Sequence, residues 1–104
     1  MSQQETSIQR PPVPLADVLK ALGEPIRLEI MRQMSLNGEV ACTTLEKTLD
    51  VSKSTISYHI KVLYHAGLVT IRKEGRFFHY ELRAEELEAC IPGFCAHLRS
   101  LPKV

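Results

Sequence analysis

Between Ser52 and Leu82 the apolar pattern changes its period across a single glycine. Ser52 can cap a helix running from Lys53 to Ala66, in which Ile56, Ile60 and Leu63 share one face, and Gly67 stops it. The chain then turns strand-like. Leu68 to Arg72 is rich in β-formers, Glu74-Gly75 is a turn, and Arg76 to Leu82 (RFFHYEL) is aromatic-rich. A capped helix running directly into a β-hairpin is a narrow constraint on the fold.

The flanking sequence narrows it further. Met1 to Pro14, with Pro11, Pro12 and Pro14, reads as a flexible arm. Leu15, Val18, Leu19 and Leu22 form the i, i+3, i+4, i+7 stripe of an amphipathic helix ended by Gly23. Glu24-Pro25 opens a second helix whose apolar face holds Ile26, Ile30, Met31 and Met34, and Asn37-Gly38 closes it. A short helix is expected over Thr43 to Leu49, with Thr43 and Glu46 placed as a capping box. Asp50-Val51-Ser52 is the tight connection to the next helix. Ala84 to Leu101 is helical in composition but interrupted by Pro92-Gly93, which predicts two short helices or one kinked helix. The predicted fold is mostly α with a β-hairpin wing. The order helix, helix, short helix, helix, hairpin, helix is that of a winged helix-turn-helix domain over 15–104, flanked by extra helices.

Length and composition agree with one domain. The chain has 104 residues, 44% hydrophobic and 24% charged, the balance of an ordinary folded domain. No apolar run approaches the ~20 residues of a spanning helix, so no membrane role is expected. Three cysteines, an odd number, argue against a disulfide framework. With no apolar leader in residues 1–14, they point to reduced thiols in a cytoplasm. No glycine-rich phosphate loop, nucleophile elbow or zinc-hydrolase helix is visible, and His59, His65, His79 and His97 are scattered. The expectation is therefore not an enzyme, and no cofactor.

The net charge of +1 hides an uneven distribution. Residues 1–51 carry five Lys+Arg against seven Asp+Glu, residues 52–83 six against two, and residues 84–104 two against three. The middle third is basic and the ends are acidic. At about 100° per residue, Ile56, Ile60 and Leu63 define the buried side of helix 53–66. Ser54, Ser57, Tyr58 and Lys61 then point outward, with His65 a turn further on. No acid stands between Lys53 and Glu74. Hydroxyls can bond phosphates or base edges, Lys supplies charge to the backbone, and a tyrosine ring can touch a thymine methyl. Arg72, Lys73 and Arg76 surround the hairpin turn, where cations can reach an adjacent groove. DNA-binding roles are thus expected for Ser52, Lys53, Ser54, Thr55, Ser57, Tyr58, His59, Lys61, Arg72, Lys73 and Arg76. His59 falls at the edge of the buried face, which suits packing or phosphate positioning more than base reading.

The chain resembles the ArsR/SmtB family of bacterial winged-helix repressors. The resemblance lies in Ala21-Leu22-Gly23-Glu24-Pro25-Ile26-Arg27-Leu28-Glu29-Ile30, in Ser52 to Leu63 with Ala66-Gly67-Leu68-Val69, and in Arg72 to Arg76 with Tyr80 and Leu82. It covers roughly residues 15–83. The resemblance implies a sequence-specific transcriptional regulator, a homodimer on a pseudo-palindromic operator in double-stranded DNA, with half-sites ~34 Å apart. It also implies dimerisation through the first helix and a C-terminal helix at about 84–101, and release of a repressed promoter by an inducer.

The family's metal sites do not carry over. Its Cys-x-Cys pair falls on Ala41 and Thr43, with Cys42 between them, and the last segment offers Glu85, Glu86, Glu88 and a lone His97 without the spacing of the second site. No metal is expected. Cys90 and Cys95 stand around Pro92-Gly93 as Cys-x4-Cys. They can be apolar packing residues or a thiol sensor of oxidant, sulfide or arsenite, with Cys42 a less suited third candidate. An organic inducer bound between dimer helices is a further alternative, and a winged helix used for protein contact is another.

Overall fold

The computed structural model describes residues 13–103, so most of the expected N-terminal arm lies outside the described residues. The elements are α1 (Leu15–Leu22), α2 (Pro25–Asn37), β1 (Glu39–Ala41), α3 (Cys42–Leu49), α4 (Lys53–His65), β2 (Val69–Glu74), β3 (Phe77–Leu82), α5 (Ala84–Cys90) and α6 (Phe94–Ser100). Local chemistry accounts for most boundaries. Pro25 occupies the first turn of α2, and the Glu24 side chain accepts from the Arg27 amide at 3.0 Å. Ser52 Oγ accepts from the Thr55 amide at 3.2 Å and caps α4. Asp50 takes φ 55°, the left-handed conformation that ends α3 and swings the chain into α4.

The core forms where these elements meet. Ile30, Met31 and Met34 of α2, Leu45 of α3, and Ile56 and Leu63 of α4 are fully buried with Leu68, Val69, Leu87 and Leu98. Each such side chain contributes about 1.5–3 kcal/mol of transfer free energy, as an upper bound. A polar strut joins α2 to α3: Gln33 Nε2 donates to Glu29 at 3.1 Å and to Thr48 Oγ1 at 3.0 Å, and Arg32 clamps the buried Glu29 with two bonds.

Three features differ from the sequence reading, and at a fourth the structure takes one of the two expected forms. The sheet has three strands in the order β1-β3-β2, all antiparallel, because Glu39–Ala41 adds to the hairpin with Val40 opposite Tyr80. A three-residue strand shows no period in sequence; it exists through its pairing with β3. Helix α3 begins at Cys42 with Ala41 at its N-cap and no side-chain cap, so Thr43 lies inside the helix and the capping box does not form. The hairpin turn is Gly75-Arg76, since β2 runs on through Glu74. Gly75 takes φ 65°, which a two-residue hairpin turn needs at its first position. Finally, the 84–101 segment is two helices. Pro92-Gly93 breaks it, and the Glu88 carboxylate of α5 bridges the break by accepting from the Gly93 and Cys95 amides, both at 2.9 Å. Those two bonds hold Glu88 below the usual carboxylate range.

Candidate nucleic-acid interface

The outward side of α4 carries the expected chemistry. Ile56, His59, Ile60 and Leu63 are buried, which turns Lys53, Ser54, Ser57, Tyr58 and Lys61 to solvent. These five line an open concavity of about 550 Å³. Tyr58 is 60% exposed and presents its ring on this face. At the helix N-terminus Ser52 Oγ lies 3.1 Å from Ser54 Oγ and 3.0 Å from Thr55 Oγ1. That hydroxyl cluster sits where unpaired amides and the helix dipole favour a phosphate.

The cations of the region divide into two groups. Arg72 lies within β2 and is engaged on both sides, by Glu39 of β1 and by Glu74. His79 stands 3.6 Å from each of the same carboxylates. Arg83 is held by the Gly67 carbonyl and Glu86. Lys53, Lys61, Lys73 and Arg76 have no ion pair among the described residues. Arg76 projects from the hairpin tip, and Lys73 Nζ rests 5.6 Å from the centroid of the Phe78 ring. Glu39, far from the wing in sequence, thus joins Glu74 in removing Arg72 from the free positive charge.

His59 is buried, 7% exposed, beneath the groove face. Its Nδ1 lies 3.0 Å from Arg27 Nη1, and Arg27 Nε donates to the Ala21 carbonyl at 2.7 Å. Because a guanidinium only donates, Nδ1 accepts and the ring proton sits on Nε2. Burial, and the Arg27 charge, push the His59 pKa down, against a raising influence of Glu24 at 3.9 Å. The imidazole is therefore neutral, fixed in one tautomer, and buttressed from α2. No periodicity in the sequence marks Arg27 as a support of α4. A charged residue on the first turn of an otherwise apolar-faced helix was the available sign.

Known proteins share both sequence and shape. A helix-turn-helix domain family matches residues 22–72. The chain is 36% identical to an uncharacterised HTH-type transcriptional regulator of Bacillus subtilis over 76% of its own length and 80% of the relative's. It is 35% identical to the arsenical resistance operon repressor of the same organism over 69% of each. The chain belongs to the ArsR family of winged helix-turn-helix transcriptional regulators. Reduced HlyU from Vibrio cholerae superimposes on this ArsR-family chain with a TM-score of 0.68, at 31% identity, covering 83% of this chain and 88% of that one.

Membership fixes the class of the ArsR-family chain, a DNA-binding transcriptional regulator, and leaves the signal to its own residues. Cys42 is buried at the start of α3, against the buried Tyr80 hydroxyl. Cys95 is buried, and Cys90 half-buried, on either side of the Pro92-Gly93 break. Burial, reinforced by the Glu88 carboxylate, pushes the Cys95 thiol up, so it stays protonated. Among the described residues no group of three or more His, Cys, Asp or Glu side chains converges as metal ligands do. No helix among them is long and apolar enough to cross a membrane.

Proposed function

We propose that the chain is a homodimeric repressor that holds a pseudo-palindromic operator in the cytoplasm and lets it go when an inducer binds. The observation that carries this reading is the pairing of an acid-free hydroxyl and lysine face on α4 with unpaired Lys73 and Arg76 on the wing. Lys53, Lys61, Lys73 and Arg76 meet phosphates. The Ser52, Ser54 and Thr55 hydroxyls fix the helix end on the backbone. Ser57 and Tyr58 face the base edges of the major groove. Arg72 contributes little while Glu39 and Glu74 hold it, and His59 acts through the backbone, by its Nε2 proton and its support of α4.

Dimerisation is supported by the surface of α1. Leu15 and Leu19 are 52% and 54% exposed although they belong to the same apolar stripe as the buried Val18 and Leu22. A stripe half-covered by its own chain suits a second copy. The relatives named as repressors support repression over activation. Cys95, protonated and buried, enters as packing in this reading.

Footprinting on DNA upstream of the gene tests it. Two protected half-sites one helical turn apart, with a dimer in sedimentation, are expected. A monomer, or protection of a single half-site at saturation, contradicts it.

A further inference from the structure

A second recess lies behind the groove face, between α4 and the wing. It has a volume of about 280 Å³ and opens to solvent. Its floor is apolar: Ile60 of α4 and Tyr80 of β3 are buried there. Its walls are Tyr64 on one side and Ile71 and Phe78 on the other, all exposed large apolar residues that no other part of the described chain covers. Ile71 pairs with Tyr80 across the β2–β3 ladder, and Lys73 with Phe78, so the three apolar side chains and Lys73 share the sheet face turned to α4. The rim is polar and one-signed. Lys61 and His65 stand on it with Ser57, and no acidic side chain lines the recess. Lys73 over the Phe78 ring adds a second unpaired ammonium nearby.

An apolar floor between largely aromatic walls, with the Lys61 ammonium at the mouth, Lys73 nearby and no carboxylate in the lining to repel an anion, is complementary to one kind of small molecule. We propose that this recess binds a small aromatic carboxylate, its ring or fused rings between Tyr64 and Phe78 and its carboxylate on Lys61. The location gives the binding a consequence. Lys61 and Ser57 line both this recess and the outward groove face. A carboxylate held by Lys61 removes that ammonium from the phosphate it would otherwise meet, and the two partners compete. The site would then be a route of operator release. This consequence rests on the repressor reading above; the binding itself does not.

The probe is 2-naphthoate, with 2-naphthamide as its neutral isostere. The full chain has no tryptophan, so naphthoate fluorescence is read without interference. In titrations of the DNA-free protein, naphthoate binds saturably, shifts the NMR signals of Tyr64, Ile71 and Phe78, and binds at least tenfold more tightly than the amide. Ile71→Ser with Phe78→Ser weakens naphthoate at least tenfold and leaves operator affinity within twofold. Ile71→Thr, which keeps a β-branched stem in the strand, serves if the double variant does not fold, and it too must weaken binding. On the wild-type operator complex, naphthoate raises the apparent Kd for DNA. Equal binding of acid and amide, no shift at these three residues, or unchanged binding by the folded variants overturns the site. Naphthoate bound with operator affinity unchanged overturns the release. A protein that takes naphthoate but never binds operator refutes the repressor reading and leaves the recess standing.

Discussion

Arg27→Met removes the guanidinium that joins α1, α2 and α4 while keeping an apolar stem in its place. In the native chain Arg27 Nε satisfies the Ala21 carbonyl at 2.7 Å and Nη1 satisfies His59 Nδ1 at 3.0 Å, and both partner residues are buried. Leaving a buried acceptor unpaired costs about 1–3 kcal/mol. Two acceptors lose their donor, and the methionine stem recovers part of the packing, so the expected loss is about 2–4 kcal/mol. Urea unfolding at pH 7.5 should show it as a lower midpoint at unchanged slope. The loss should also depend on pH in a set direction. A histidine whose folded pKa lies below its ordinary value of 6.5 adds stability above that value and loses it as pH falls. In the variant a lowering influence is gone, Glu24 remains at 3.9 Å, and His59 titrates higher. The gap between native and variant therefore shrinks between pH 7.5 and pH 5.5. Nitrogen NMR of the ring should report a single Nε2–H tautomer in the native protein and a mixture or imidazolium in the variant. A loss under about 0.5 kcal/mol, or a gap independent of pH with the His59 signals unmoved, refutes the buttress.

Three further outcomes follow from the same geometry. Arg76→Ala should weaken operator binding severalfold more than Arg72→Ala, because Glu39 and Glu74 already hold Arg72, and equal losses in an anisotropy titration would show those pairs open on DNA. Glu88→Gln should lower the melting temperature at neutral pH and flatten the acid limb of the stability profile. The native carboxylate, held low by the Gly93 and Cys95 amides, stabilises above its ordinary pKa and ceases to as pH falls through its lower folded value; parallel profiles would rule this out. Gly67→Ala should cost about 1–3 kcal/mol, since Gly67 takes φ 82° and a Cβ there would sit 2.5 Å from Val13 Cγ1. A neutral effect in thermal unfolding would contradict both the backbone strain at φ 82° and the contact with Val13.

The sequence carried the outward face of α4 well, for a local reason. The Ser52 cap, the Gly67 stop and the 3.6-residue period of Ile56, Ile60 and Leu63 fix which side chains face out, whatever the rest of the chain does. The wing was less legible. Its cations were visible, but whether each is free depends on β1, and Glu39–Ala41 becomes a strand only by pairing with residues forty positions on. Arg72 therefore looked like Arg76 in sequence and differs from it in the fold. The Arg27–His59 contact spans 32 positions and leaves no periodic trace. The apolar recess was hidden in the same way, because Tyr64 and Phe78 meet only after the sheet folds back on α4. At the C-terminus the helix-breaking Pro92-Gly93 was plain, while its bridging by Glu88 required knowing that the two short helices turn back on each other.

If the unpaired cations of α4 and the wing hold DNA phosphates, the salt dependence of operator affinity must differ between the native chain and Lys61→Ala with Arg76→Ala. Each phosphate contact removed should take about 0.9 from the slope of log K against log salt. For a dimer losing both cations on each subunit, the slope should therefore fall by roughly 3–4, with folding and dimerisation unchanged. An unchanged slope in a folded, dimeric variant would show that these cations do not meet phosphates.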